Sequence, residues 1–304
     1  MTATEPTPTF DAKMDALVRI LRDMGSVLVC YSGGVDSAFV LAVAHRELGP
    51  RAVGMTAVSP SLAPYEKDAA IDVARQIGAD HRLVESHEID DVNYQANGAD
   101  RCFHCKSELY RIAADRLRAW DLAVAVNGVN TDDLGDYRPG LEAAKRAKVR
   151  SPLVEAGFTK EDVRQGASAI GLTVWNKPAS ACLSSRLPYG TKVTRERLQR
   201  IGALELDLKD MGLRQVRVRW HALGDATGNV TGNATANTTA DAPSDKALAR
   251  VEVAGPELER AFTLRDRIVA AGKRHGFAYV TLDLQGYRTG SHNELLDGRS
   301  LRVL

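Results

Sequence analysis

A chain of 304 residues with 44% hydrophobic content is long enough for packed cores in one large domain or two smaller ones, which excludes disorder as the default. Its 40 lysines and arginines nearly cancel 39 acidic residues, so no overall field selects a polyanion, and a small-molecule substrate is expected in place of nucleic acid. No run approaches the ~18 apolar residues of a membrane span, and Thr2 to Thr9 has no signal-peptide pattern; a cytoplasmic protein is expected, with four cysteines that are reactive or metal-binding rather than disulfide-bonded.

The first element is the apolar run Val27-Leu28-Val29-Cys30-Tyr31, a strand. Ser32-Gly33-Gly34-Val35-Asp36-Ser37 follows, then a helix through Ala38 to Ala44. Two glycines let the backbone approach an anion, and the helix N-terminus supplies unpaired N–H groups and a favourable dipole. Ser32 and Ser37 add hydroxyls, and Asp36 places a carboxylate where Mg2+ bridging phosphate oxygens needs a ligand. The loop lacks the spacing and the lysine of a Walker A loop, and it resembles the PP-loop of the ATP pyrophosphatases. That resemblance implies ATP cleavage to AMP and pyrophosphate, with the AMP passed to a substrate oxygen. Cys30, inside the strand, reads as a small buried hydrophobe.

Strand and helix then alternate. Ala52 to Val58 is a strand, a helix buries Ala70, Val73, Ala74 and Ile77, His81 to Val84 is a third strand, and a helix carries Leu109, Ile112, Ala113, Leu117 and Trp120. Leu122 to Val126 reads as a fully buried parallel strand. This pattern predicts an α/β fold with a doubly wound, mostly parallel sheet and its ligand crevice at the carboxyl ends of the strands. Thr159 with Asp162 marks a further helix start and Gly171 its end.

Arg101-Cys102-Phe103-His104-Cys105-Lys106 sets two thiols three residues apart at a helix start, and Cys182 lies in Ala181-Cys182-Leu183-Ser184-Ser185-Arg186. The CxxC pair alone is compatible with zinc, redox exchange or accident. Three thiolates with an open position suit an iron–sulfur cluster. Arg186, one turn away, and Lys177 offer positive charge to a Cys182 thiolate.

Beyond Tyr189-Gly190 the pattern becomes a smaller α/β unit: a helix from Thr194 to Met211, the alternating and hence half-buried strand Gln215 to Trp220, Val251 and Val253, a helix opened by Pro256, and Phe277 to Leu284. Two domains are expected, an ATP-binding domain at 1–189 and an acceptor-binding and oligomerisation domain at 190–304. The Gly/Asn/Thr-rich stretch at about 222–246 reads as a disordered insertion between strands. Arg217 and Arg219 share one strand face, so two guanidinium forks there suit a phosphate or carboxylate, against the plainer reading of a solvated face.

Four segments in this order carry a closer resemblance: Ser32 to Ser37, Asn127-Gly128-Val129-Asn130-Thr131-Asp132-Asp133 with Asp136-Tyr137-Arg138-Pro139-Gly140, Lys177-Pro178-Ala179-Ser180-Ala181-Cys182-Leu183-Ser184-Ser185-Arg186, and Gly286-Tyr287-Arg288-Thr289-Gly290-Ser291. Together they resemble the LarE family of ATP-dependent sulfur transferases, over almost the whole chain except the polar insertion. The resemblance implies a PP-loop fold and sulfur transfer to the adenylated carboxylates of pyridinium-3,5-biscarboxylic acid mononucleotide, a step toward the nickel-pincer cofactor of lactate racemase. It implies ATP contacts from Ser32, Gly33, Gly34, Asp36, Ser37, Gly128 and Arg138, and acceptor contacts from Arg186, Glu205, Arg217 and Arg219. In single-cysteine members the residue matching Cys182 attacks the adenylated carboxylate and is left as dehydroalanine. The additional Cys102 and Cys105 resemble a subgroup in which the three cysteines hold a 4Fe-4S cluster and a bound sulfide is the donor, the version favoured here. The partner expected is a small-molecule mononucleotide, with no nucleic acid or membrane, in a homo-oligomer.

Rival readings are a PP-loop tRNA thiolase, which calls for a basic RNA-binding face, an ammonia-dependent PP-loop ligase, which has no use for the cysteines, and a non-catalytic adenine-nucleotide or cluster-binding protein, which releases no AMP.

Overall fold

The computed structural model describes residues 8–135, 139–178, 180–223 and 245–288. It divides into two compact units, Met1–Ala181 and Cys182–Leu304.

The first unit runs α1 (Phe10–Met24), β1 (Val27–Cys30), α2 (Val35–Leu48), β2 (Ala52–Val58), α3 (Pro64–Ile77), β3 (Asp80–Glu85), α4 (Val92–Gln95), α5 (Arg101–Ala119), β4 (Val124–Val126), α6 (Pro139–Arg146), α7 (Pro152–Glu155) and α8 (Lys160–Ala169). Its sheet has four strands in the order β3-β2-β1-β4, all parallel, as the alternating pattern requires. β1 is central and explains why the sheet is covered on both faces. Alternate strand residues point to opposite sides: Val27 and Val29 enter a core with Leu17 of α1, Phe39 and Val43 of α2 and Val163 of α8, whereas Leu28 enters a second core with Ile112 and Ala113 of α5. Leu28 is fully buried, and its truncation to alanine would cost about 2–5 kcal/mol.

Strand order reverses between β1 and β4, because the chain winds outward from β1 through β2 to β3 and then returns to β1's other edge. Such a switch point opens a crevice at the carboxyl ends of the two strands, which is where the phosphate loop emerges. α8 is fixed by a reciprocal capping box: Asp162 N–H donates to the Thr159 hydroxyl and Thr159 N–H donates to the Asp162 carboxylate. Lys13 of α1 bonds the same carboxylate at 2.6 Å.

The second unit holds α9 (Arg195–Asp210), β5 (Val216–Ala222), β6 (Ala247–Val253), α10 (Leu258–Thr263), α11 (Arg265–Arg274) and β7 (Tyr279–Leu282). β5 and β6 are antiparallel, and β6 and β7 parallel, in the order β5-β6-β7. Ala222 pairs with Ala247, so the polar stretch does join two adjacent strands; residues 224–244 of it lie outside the described residues. β5 departs from the expected half-burial. It is buried on both faces through Trp220, because α9 covers one side and on the other Arg219 pairs with Glu252 while Arg217 lies against the Tyr287 ring.

Candidate active site

The loop at the end of β1 is shaped by two steric facts. Gly33 has φ +73°, and a Cβ there would lie 2.7 Å from the Cβ of Ala70 on α3, so only glycine fits. Gly128, after β4, approaches the start of α2 so closely that a Cβ would lie 2.6 Å from Ser37 N. Gly34 caps α2 without a side-chain hydrogen bond, leaving the first N–H groups of a fourteen-residue helix for another acceptor. The Ser37 hydroxyl accepts from Ser32 N at 3.2 Å and lies 3.1 Å from the Ser32 hydroxyl, so both hydroxyls are held on the loop.

Asp36 is gripped from outside the motif. Asn130 Nδ2 donates to its Oδ1 at 3.1 Å and Lys160 Nζ to its Oδ2 at 2.5 Å. The loop after β4 organises both donors: Asp132 N–H donates to Asn130 Oδ1, Asn130 N–H to Asp133 Oδ2, and Lys160 N–H to Asp132 Oδ2. Asp132 and Asp133 therefore hold the turn that presents Asn130 and the first residue of α8. Arg138 lies outside the described residues.

A cavity of about 290 Å3 opens here, lined on the loop side by Ser32, Asp36 and Ser37, and opposite them by Lys106 and Tyr110 of α5 with Asn127 after β4. Cys30 packs against the Ile112 core, as a small hydrophobe is expected to, and also contributes to the cavity lining. Burial pushes the Cys30 thiol up to about 12, so it stays protonated. Burial also raises the Tyr110 phenol. Lys106 is exposed along its length, and the net direction of its ammonium pKa is upward, the desolvation of its inner end being outweighed by the neighbouring Tyr110 oxygen and Cys105 thiol. Asp36 and Asp133 border the same space with hard oxygen donors, which fits Mg2+ held jointly with phosphate oxygens.

On the other side of the loop, Lys177 Nζ donates to Gly33 O at 3.3 Å and to Glu66 Oε2 at 2.7 Å, and the Ser180 hydroxyl donates to Glu66 Oε1 at 2.8 Å. The Lys177 charge is thus taken by Glu66 rather than held for a thiolate. Lys160, Lys106 and Glu66 were missed by sequence reasoning. Lys160 had a signal, standing just inside the predicted helix cap; Glu66 had none, since its partners are 111 and 114 residues away.

In the second unit, Cys182 is exposed and caps a short 3-10 turn, Leu183–Arg186. Its carbonyl accepts from Ser185 N at 3.0 Å, the Ser185 hydroxyl at 2.8 Å and Arg186 Nη1 at 3.1 Å. Arg186 is fully buried and forks onto Glu205, Nε to Oε1 at 2.8 Å and Nη2 to Oε2 at 3.0 Å, while Glu205 also accepts from Val218 N. Arg219 donates to Ser185 O at 2.8 Å and pairs with Glu252. Arg217 lies 5.2 Å over the Tyr287 ring. As placed, Arg186, Glu205 and Arg219 brace the turn that displays Cys182, and Arg186 and Glu205 have each other as partners.

Cys102 is exposed in the first turn of α5 and Cys105 half-buried in the second. Among the described residues no group of three or more His, Cys, Asp or Glu side chains is assembled that could hold a metal; of the three cysteines expected to act together, Cys102 and Cys105 lie in the first unit and Cys182 begins the second.

Three relatives place the chain. An uncharacterised protein of Synechocystis sp. is 40% identical over 94% of this chain and 98% of its own length. The pyridinium-3,5-bisthiocarboxylic acid mononucleotide synthase of Lactiplantibacillus plantarum is 34% identical over 95% of this chain and 96% of its own. The chain belongs to the LarE family. A family model described as asparagine synthase matches residues 11–120 of this LarE-family chain, the stretch from α1 through the phosphate loop to the end of α5. An uncharacterised protein of Methanocaldococcus jannaschii is 24% identical over 86% of it. No helix among the described residues is long and apolar enough to cross a membrane.

Proposed function

We propose that the chain uses ATP to activate a carboxylate of a pyridinium mononucleotide and then exchanges an oxygen of that carboxylate for sulfur. The observation that carries the reading is the cavity at the carboxyl ends of β1 and β4, bordered by the loop serines and by Asp36, on which Lys160 is seated, beside the uncapped start of α2, in a chain collinear with the synthase. A substrate carboxylate oxygen attacks the α-phosphorus, the bond to the β-phosphate oxygen breaks, and pyrophosphate leaves. The α2 N–H groups and Lys160 stabilise charge on the phosphate oxygens. Mg2+, held by Asp36 with Asp133, would supply further neutralisation of the leaving pyrophosphate.

Sulfur delivery falls to Cys182. Its thiolate attacks the carboxyl carbon and AMP departs with the original oxygen, leaving a thioester to Cys182 Sγ. Loss of the Cys182 α-proton then breaks the Cβ–S bond, so the acceptor leaves as a thiocarboxylate and the chain keeps dehydroalanine. The braced turn supports this role by fixing the backbone on either side of an exposed thiol.

The test supplies ATP, Mg2+ and pyridinium-3,5-biscarboxylic acid mononucleotide to protein purified without air, and follows AMP, pyrophosphate, thiocarboxylate and the intact protein mass. Thiocarboxylate with loss of one sulfur from Cys182 is expected. An unchanged Cys182 in a protein carrying stoichiometric iron and labile sulfide would return the sulfur source to a cluster, and ATP binding with no AMP release would favour the non-catalytic reading.

A further inference from the structure

The cavity beside the phosphate loop has a second wall that the nucleotide motif does not explain. Lys106 and Tyr110 sit one turn apart on α5 and line it together with Asn127 at the end of β4. Asn127 is 5% exposed, its Oδ1 accepts from Val129 N at 3.1 Å, and its Nδ2 is buried without an acceptor in hydrogen-bond geometry among the described residues, although it lies near enough to the Tyr110 oxygen to act against the rise in that phenol's pKa. A buried amide donor left in that condition destabilises the fold, and an arriving acceptor would relieve it. Lys106 forms no ion pair with a carboxylate among the described residues. Its stem runs past Gly140 of α6, where an added Cβ would lie 3.0 Å from Lys106 Cγ, so the glycine leaves the space the stem uses. An ammonium, a phenol O–H and an amide N–H thus line the same cavity as the phosphate loop, whose Asp36 is already bonded by Lys160 and Asn130.

We propose that Lys106, Tyr110 and Asn127 form an oxyanion subsite that holds a carboxylate or phosphate oxygen next to the nucleotide. Three donors and no paired acid match the demand of such a group, and an oxygen held there is adjacent to the loop that carries the reacting phosphates. The proposal rests on reading Ser32 to Ser37 as a nucleotide site and adds where the second anion lies.

Calorimetric titration of the full chain with pyrophosphate, with pyridine-3,5-dicarboxylate and with ATP tests it, in the wild type, Lys106→Met and Tyr110→Phe. Lys106→Met keeps the stem and removes the charge; Tyr110→Phe keeps the ring and removes the donor. Each should weaken one anion roughly tenfold or more. Weakened dicarboxylate binding with pyrophosphate unchanged assigns the subsite to the acceptor, and weakened pyrophosphate assigns it to the nucleotide's phosphates. The proposal is overturned if both variants bind both anions within about twofold of wild type, or if the wild type binds neither. A wild type that binds these anions and loses them in Lys106→Met, yet binds no ATP, would instead sink the nucleotide reading and leave the subsite standing.

Discussion

Replacing Glu205 by leucine should destabilise the second unit far more than an ordinary surface change, and the structure sets the size. Both members of the Arg186–Glu205 pair are completely buried, the contact is bidentate at 2.8 and 3.0 Å, and Glu205 carries the Val218 N–H as well. Glu205→Leu therefore strands a guanidinium and an amide N–H away from water, and removal of one partner of such a pair costs about 3–5 kcal/mol. With a urea slope of about 2 kcal/mol/M that is a midpoint shift of about 2 M. Trp220, fully buried in this unit, reports its unfolding by fluorescence once Trp120 and Trp175 of the other unit are replaced by phenylalanine. The double variant Arg186→Met with Glu205→Leu should recover most of the loss, since no buried charge then lacks a partner. A single-variant cost below about 1 kcal/mol, or a double variant that loses the sum of both singles, would refute the reasoning.

Three other outcomes are expected. Lys160→Met should slow pyrophosphate release about a hundredfold or more, measured by a coupled phosphate assay, because it removes the cation that stands at Asp36 beside the reacting phosphates. Gly128→Ala should abolish ATP binding by calorimetry and cost about 1–3 kcal/mol in urea unfolding, since the added methyl meets helix backbone that has no rotamer to change. Iodoacetamide at pH 8 should alkylate the exposed Cys102 and Cys182 within minutes and leave Cys30 unmodified by peptide mass analysis. Its pKa is raised to about 12, so the thiolate fraction at pH 8 is about one in ten thousand and becomes appreciable only as pH rises toward 12.

The sheet was legible because its central strand is an uninterrupted apolar run and its helices carry one-sided apolar faces, signals that are local in sequence. Ser32 to Ser37 was legible for the same reason, and the Thr159/Asp162 cap was read from three residues of spacing. Pairings across long separations were not. Arg217 and Arg219 alternate along β5 like a solvated face, yet Glu252, 33 residues on from Arg219, draws that guanidinium inward at 3.1 Å. Cys30 does pack on the core as its strand position implies; that the strand's last residue also contributes to a cavity lining depends on where α5 crosses, which no window of sequence around Cys30 contains.

The Lys160–Asp36 contact also bears on how a nucleotide arrives. A triphosphate approaching a helix N-terminus would otherwise meet a bare carboxylate at the first turn of α2, and like charges at short range slow encounter. With the ammonium of α8 already seated on that carboxylate, the mouth of the loop offers the incoming polyanion a neutral pair and the partial positive charge of the helix end. The association rate of ATP should then fall with added salt in the native chain, as attraction is screened, and rise with salt in a chain where Lys160 is made neutral and Asp36 is left to repel.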